Sequence, residues 1–221
     1  MPRAVTKPNA QRPRGRPRRD TRAAEILDAG FREFAEKGFL SARLEDVAQR
    51  AGVAKGTVYL YYPSKEALFE AAVRSRILPV VGEASRIAEA RAMPTIEILR
   101  LLVRAMYARL ADPDVRTLMR IMIAEGQRFP ALIRFYHGEV LSRLTSVLGL
   151  IIRQAVERGE LDSGAMTTVP EVLVAPGILG AIWQMTFALE EDIPLERFLA
   201  AHLDLLERIF APGTASTNPQ R

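Results

Sequence analysis

The chain contains no cysteine. Disulfides and thiolate metal sites are therefore excluded, and a reducing compartment fits the composition. There are only two histidines, His137 and His202, far apart and neither in a metal spacing such as H-E-x-x-H. A Gly-x-Ser-x-Gly elbow and a phosphate-binding glycine loop are also missing. A catalytic site has little to stand on, so the chain is not expected to be an enzyme, and no cofactor or metal is expected. No stretch alternates in the manner of a strand, and no internal repeat is present. The opening MPRAVTKPNAQRPRGRPRRD has charge and proline but no apolar run. It reads as neither a secretory signal nor a membrane anchor, which makes the cytoplasm the expected location, on the nucleoid when DNA is bound.

Acid is missing from one end. Met1–Arg19 holds seven of the 31 Lys and Arg and none of the 26 acids, so the whole +5 excess of charge sits there. A polyanion partner for this arm follows more directly than a generally basic protein does. Without apolar periodicity, residues 1–19 read as a disordered basic arm when free. Inside it, Pro13-Arg14-Gly15-Arg16-Pro17 resembles the AT-hook core, which would lay Arg14 and Arg16 along a narrow A/T-rich minor groove. The other reading is a plain electrostatic tail.

At 221 residues the chain easily buries a core, and its most informative stretch is Leu44–Ala67, LEDVAQRAGVAKGTVYLYYPSKEA. Leu44, Val47, Ala48 and Ala51 fall at i, i+3, i+4 and i+7 on one apolar face, and Gly52 closes that helix. A second helix begins near Lys55 and stops before Pro63, which gives a helix-turn-helix whose second helix enters the major groove. It turns Val58 and Tyr62 inward and leaves Lys55, Gly56, Thr57, Tyr59 and Tyr61 available. Hydroxyls bond phosphates or base edges, lysine pairs with phosphate or guanine, and glycine admits the backbone closely.

The segment AGVAKGTVYLYYPSKEALF resembles the DNA-binding signature of the tetracycline-repressor (TetR) family of bacterial transcriptional regulators. The match runs from Thr21 to about Val73. It implies phosphate and base contacts at Lys55, Gly56, Thr57, Tyr59, Tyr61 and Lys65. Two positions depart from the pattern: Ala42-Arg43 and Ala54 stand where the family commonly places capping Ser or Thr. A lost cap costs roughly 0.5–2 kcal/mol, so Ser41 is expected to cap instead, with Arg43 supplying the phosphate contact. The resemblance implies an all-α fold of about nine helices, with an N-terminal helix-turn-helix DNA-binding domain and a C-terminal effector-binding and dimerisation domain. It also implies a homodimer on a double-stranded operator, and a repressor released by a small-molecule effector. In the family, the helix opened by Ser64 carries the signal by tilting. A ligand-independent architectural or regulatory DNA-binding protein is the alternative.

The domain expectations are a DNA-binding unit over 20–66, an effector and dimerisation unit over 67–210, and a flexible tail over 211–221. Asp20 or Thr21 is expected to cap a helix ending at Gly38, and Pro79 and Gly82 to kink or end the one opened by Ser64. The longest helix is expected from Ala131 to about Arg158. The uncharged run Val172–Leu189 reaches the lower limit for a membrane span. It is broken by Pro176, Gly177 and Gly180 and lacks a basic flank or aromatic belt, so a helix buried against its own copy is the better account. With the final amphipathic helix it would form a four-helix bundle between protomers, placing Ile182, Leu195, Phe198, Leu199, His202 and Leu206 at the interface. The expected effector lining is drawn from large, adaptable side chains of the middle helices: Met106, Tyr107, Met119, Met122, Phe129, Tyr136, Trp183, Met185 and Phe187.

Overall fold

The structure, a computed structural model, describes residues 16–89 and 93–210. Among the described residues every regular element is helical. The α-helices are α1 (Arg16–Ser41), α2 (Leu44–Arg50), α3 (Lys55–Tyr61), α4 (Lys65–Arg76), α5 (Leu78–Glu89), α6 (Thr95–Leu110), α7 (Pro113–Glu125), α8 (Pro130–Tyr136), α9 (Ser142–Glu157), α10 (Ala175–Thr186) and α11 (Leu195–Ile209). Counting the bent pairs α4/α5 and α8/α9 as single helices gives the expected nine. None is long and apolar enough to cross a membrane.

The first four helices pack on an aromatic knot. Phe34, Phe39 and Phe69 are each at most 2% exposed, with ring centroids 5.6–6.1 Å apart. Gly30 lets α1 approach α4, since a Cβ there would meet Leu68 at 2.6 Å. α2 enters through Leu44, Val47 and Ala48, and α3 through Val58, all buried. Gly52, at φ 64°, takes the left-handed conformation that the turn requires. The Tyr62 hydroxyl donates to the Ala23 carbonyl at 3.2 Å, which fixes the end of α3 inward as expected. Ser64 accepts from the Ala67 N–H, capping α4.

Several boundaries differ from expectation. α1 begins at Arg16, so the last residues of the expected disordered arm are helical, as is the Arg16-Pro17 end of the hook-like motif. Proline fits because the first helical turn needs no N–H donor. Arg14 lies outside the described residues, as does the tail from 211. Gly38 breaks the regular helix at φ 72°, but one further turn continues to Ser41. Ser41 therefore ends α1 instead of capping α2, whose N-cap is Arg43 with no side-chain cap. The α4 path bends at Ile77, and α5 starts with Pro79 in its first turn and continues through Gly82. The long spine runs as expected from 130 to 157, but residues 137–141 form a π turn within it.

Packing is continuous along the chain. The N-terminal core also takes in Leu118 and Ile121 of α7, Leu132 of α8 and Val140 of the π turn. The second core is formed by α5, α6 and α9–α11.

Candidate nucleic-acid interface and ligand cavity

On α3, Lys55, Gly56 and Tyr59 are exposed, while Thr57 and Tyr61 are half-buried. Arg43 is exposed one step away, at the entrance to α2. The Tyr61 ring sits 5.9 Å from the Arg19 guanidinium. Lys65 is placed differently from the others: its ammonium donates to the Phe39 and Leu40 carbonyls at 2.8 and 2.9 Å and lies 4.8 Å from the centre of the Phe39 ring. It closes the end of α1 instead of standing out from the surface. Two residues of this face escaped sequence reading. Leu60 is 73% exposed near the C-terminal end of α3, an apolar group suited to a thymine methyl. Its signal was present, because it lies off the Val58–Tyr62 face. Glu45 of α2 lies 2.5 Å from the Lys55 ammonium and accepts from the Tyr59 hydroxyl at 3.1 Å. The Lys55 bond holds this carboxyl down at about 2.

The end of α1 is held from the far half of the molecule. Glu125, the last residue of α7, accepts from the Phe39 N–H at 3.0 Å and the Leu40 N–H at 2.6 Å. Arg120 of α7 donates to the Ala35 carbonyl at 3.1 Å. Gly38 takes the left-handed φ of 72° that favours glycine, and a Cβ there would stand 2.6 Å from the Glu125 carboxylate and push it from its place. α7 therefore grips the base of the helix-turn-helix through directional bonds.

The same helix lines a cavity of about 810 Å³ through Val115 and Met119. Its other walls come from α4–α6, α8, the π turn, α9, the segment leading into α10, the start of α10 and Leu206 of α11; they are mostly aliphatic, with Arg76, Glu83, Arg86 and Arg109 among them. At its charged margin, Arg76 is paired with Asp28 and Asp114, and Arg86 with Glu83. Of the expected lining, Met106, Met119 and Tyr136 are present, and burial raises the Tyr136 hydroxyl above its usual value. The other expectations are corrected. Met122 and Phe129 belong to the N-terminal core, Phe129 standing 4.7 Å from the Phe39 ring. Tyr107 faces His202 at 5.9 Å, and burial pushes its hydroxyl up to about 12. The Trp183 and Phe187 rings meet at a tilt, centroids 5.0 Å apart, with the indole N–H donating to the Glu191 carbonyl. Met185 is half-buried and outside the lining.

The expected interface residues divide in two. Leu195, His202 and Leu206 are at most 8% exposed within a single chain, so they are internal core. Phe198 fills the space over Gly180, where a Cβ would meet it at 2.9 Å. Ile182 and Leu199 are half-buried. Open apolar positions in this region are Val169, Val172, Leu179, Phe187 and Leu189 around α10 and Leu205 on α11, whereas Ile178 lines the cavity.

A family model described as bacterial regulatory proteins, tetR family, matches residues 26–72, and one described as tetracyclin repressor-like, C-terminal domain, matches residues 97–209. The chain belongs to the TetR family. The HTH-type transcriptional regulator SrpR of Pseudomonas putida is 28% identical over 139 residues, 62% of each chain. The fatty acid metabolism regulator protein of Bacillus subtilis is 23% identical over 63% of this chain and 71% of its own. Alignment to the Pseudomonas protein thus spans less than two thirds of its length. Among solved structures, the SmeT–triclosan complex superimposes with a TM-score of 0.72 at 24% identity, covering 91% of this chain and all of SmeT. SmeT is described as the repressor of the Stenotrophomonas maltophilia multidrug efflux pump SmeDEF.

Proposed function

We propose that this TetR-family chain is a homodimeric repressor that reads an operator through α3 and is released when an apolar small molecule enters the cavity. The observation that carries the reading is α7. One helix both lines the cavity, through Val115 and Met119, and bonds the base of the helix-turn-helix, through Arg120 and Glu125. A ligand-independent DNA binder has no use for that arrangement. Lys55, Gly56, Thr57, Tyr59 and Leu60 are the reading set, with Arg43 and Tyr61 at its edge. An aliphatic cavity of this size suits a drug-sized apolar body. SmeT carries triclosan, and a further fold neighbour, FadR of Bacillus subtilis, carries stearoyl-CoA.

In this reading residues 20–66 serve DNA and 67–210 serve the effector and the second copy, a division of roles with no gap in packing. The second copy covers Leu179 and Leu205, and the protein acts in the cytoplasm as a regulator with no catalytic step. The test is binding of the protein to DNA upstream of its own gene, with and without triclosan. Specific binding weakened by the ligand is expected. Specific binding that no apolar compound alters, together with failure of those compounds to raise thermal stability, would return the protein to the ligand-independent class.

A further inference from the structure

The reading helix meets an anion of its own chain. The Lys55 ammonium and the Tyr59 hydroxyl converge on one oxygen, Oε1 of Glu45, at 2.5 and 3.1 Å. The ammonium also lies 5.6 Å from the centre of the Tyr59 ring. A cation and a hydroxyl one helical turn apart, aimed at a single anionic oxygen, form the arrangement that holds a phosphate oxygen. Glu45 is presented by a fixed element, because Leu44, Val47 and Ala48 of α2 are buried. The pair is open to solvent, with the Lys55 and Glu45 side chains 61% and 43% exposed, so a DNA strand can reach it.

We propose that Glu45 holds the place of a DNA backbone phosphate in the free protein and keeps Lys55 from the phosphates of random DNA. The proposal rests on the reading of α3 as the DNA-contacting helix. In a loose complex with random DNA, exchanging one anion for another gains Lys55 nothing and presses the Glu45 carboxylate toward phosphate. Lys55 stays with Glu45. At the operator, contacts from the rest of α3 fix a phosphate at this point, the carboxylate is displaced, and Lys55 and Tyr59 pass to DNA. Glu45 therefore withholds one phosphate contact from the non-specific complex, whereas at the operator it costs the energy of the broken pair; its removal tightens both complexes, and only on random DNA does it change how many phosphates are neutralised.

The test uses the full chain and two duplexes: the tightest-binding one selected from a random pool by the wild-type protein, and a scrambled duplex of equal length. Affinity is measured over a range of salt for wild type, Glu45→Gln, Lys55→Gln and the double variant. Glu45→Gln is expected to tighten both duplexes by about two- to five-fold, the size of an exposed ion pair. It should also steepen the salt dependence on scrambled DNA by about 0.9, one further phosphate neutralised, and leave the operator slope unchanged. Both effects should vanish in the Lys55→Gln background. Loss of an acid by itself adds no phosphate contact, so unchanged slopes on both duplexes would overturn the proposal. So would a gain that survives Lys55→Gln. A selective loss of operator binding in Glu45→Gln would also overturn it, making Glu45 a base reader that accepts from cytosine. A wild-type protein with no preference among duplexes would defeat the reading of α3 itself, and this proposal with it.

Discussion

The two halves of the molecule are finished to different degrees. Around the helix-turn-helix, three phenylalanines interlock at no more than 2% exposure, and charged pairs close the rim: Lys37 with Glu33 and Asp46, and Arg50 with Glu36 and Glu33. In the other half, aliphatic helices enclose about 810 Å³, and the buried Tyr107 hydroxyl, His202 Nδ1 and Thr95 Oγ1 find no hydrogen-bond partner among the described residues. A fully packed body transmits displacement without absorbing it, whereas a hollow one changes when it is filled. The difference suits the proposed division, with the tightly packed half reading DNA and the hollow half sensing.

The sharpest test lies within one helix of the incomplete half. Leu205 and Leu206 are neighbours on α11, 47% and 1% exposed. Leu206→Arg forces an unpaired cation into the core, which costs several kcal/mol. It should abolish the folded state by circular dichroism. Leu205→Arg combined with Leu179→Arg should leave the helical signal intact and yield monomers on sedimentation. A folded dimer from that double variant would place the partner on another face.

The next test compares the two cores directly. Phe39→Ala should cost about 3–5 kcal/mol in denaturant unfolding, since it empties the centre of the aromatic knot. Leu144→Ala, on the wall of a space that already exists, should cost no more than about 2 kcal/mol. Equal costs would mean that the cavity half is as tightly specified as the other. Filling the space sharpens the contrast: a bound ligand at a hundred times its dissociation constant should add about 2.7 kcal/mol of stability. Met119→Trp should remove that gain by occupying the same volume. Thermal unfolding with and without triclosan reads both outcomes.

The two halves were also unequally legible in the sequence. Val58, Tyr62, Gly52 and Ser64 could be placed because each role needs a particular residue type at a particular spacing: a buried anchor, a left-handed glycine, a capping hydroxyl. The cavity had no such code. Periodicity shows which face of α6 turns inward, but not that Met106 meets open space while Tyr107, one residue on, meets His202. The α11 stripe of Leu195, His202 and Leu206 read as an interface because a helix buries its apolar face in the same way against its own chain or another copy. The π turn left no trace, since one widened turn preserves the apolar spacing on either side. Glu45 read as an outward acid because its partners lie ten and fourteen residues away on another helix.

The smallest effect expected is the pH response of the incomplete half. His202 is 2% exposed, and burial lowers its pKa below the usual 6.5, against a weaker opposing contribution from the Leu173 backbone. The folded state therefore holds this imidazole neutral at a pH where the unfolded chain would protonate it. Between the folded and unfolded values the unfolded state binds the extra proton, so stability rises with pH there and falls as the solution is acidified below about 6.5. One group sets a ceiling of about 1.4 kcal/mol per pH unit on that slope. Glu36, Asp46, Glu171 and Asp204, bonded to neighbouring side chains, are held below their ordinary values and stay charged at this pH. His202→Leu, filling the same site without a titrating group, should flatten the dependence of unfolding free energy on pH between about 5 and 7. A variant whose pH profile overlays that of wild type would show that the proton taken up on acid unfolding goes elsewhere, and that the buried imidazole has another means of holding its charge.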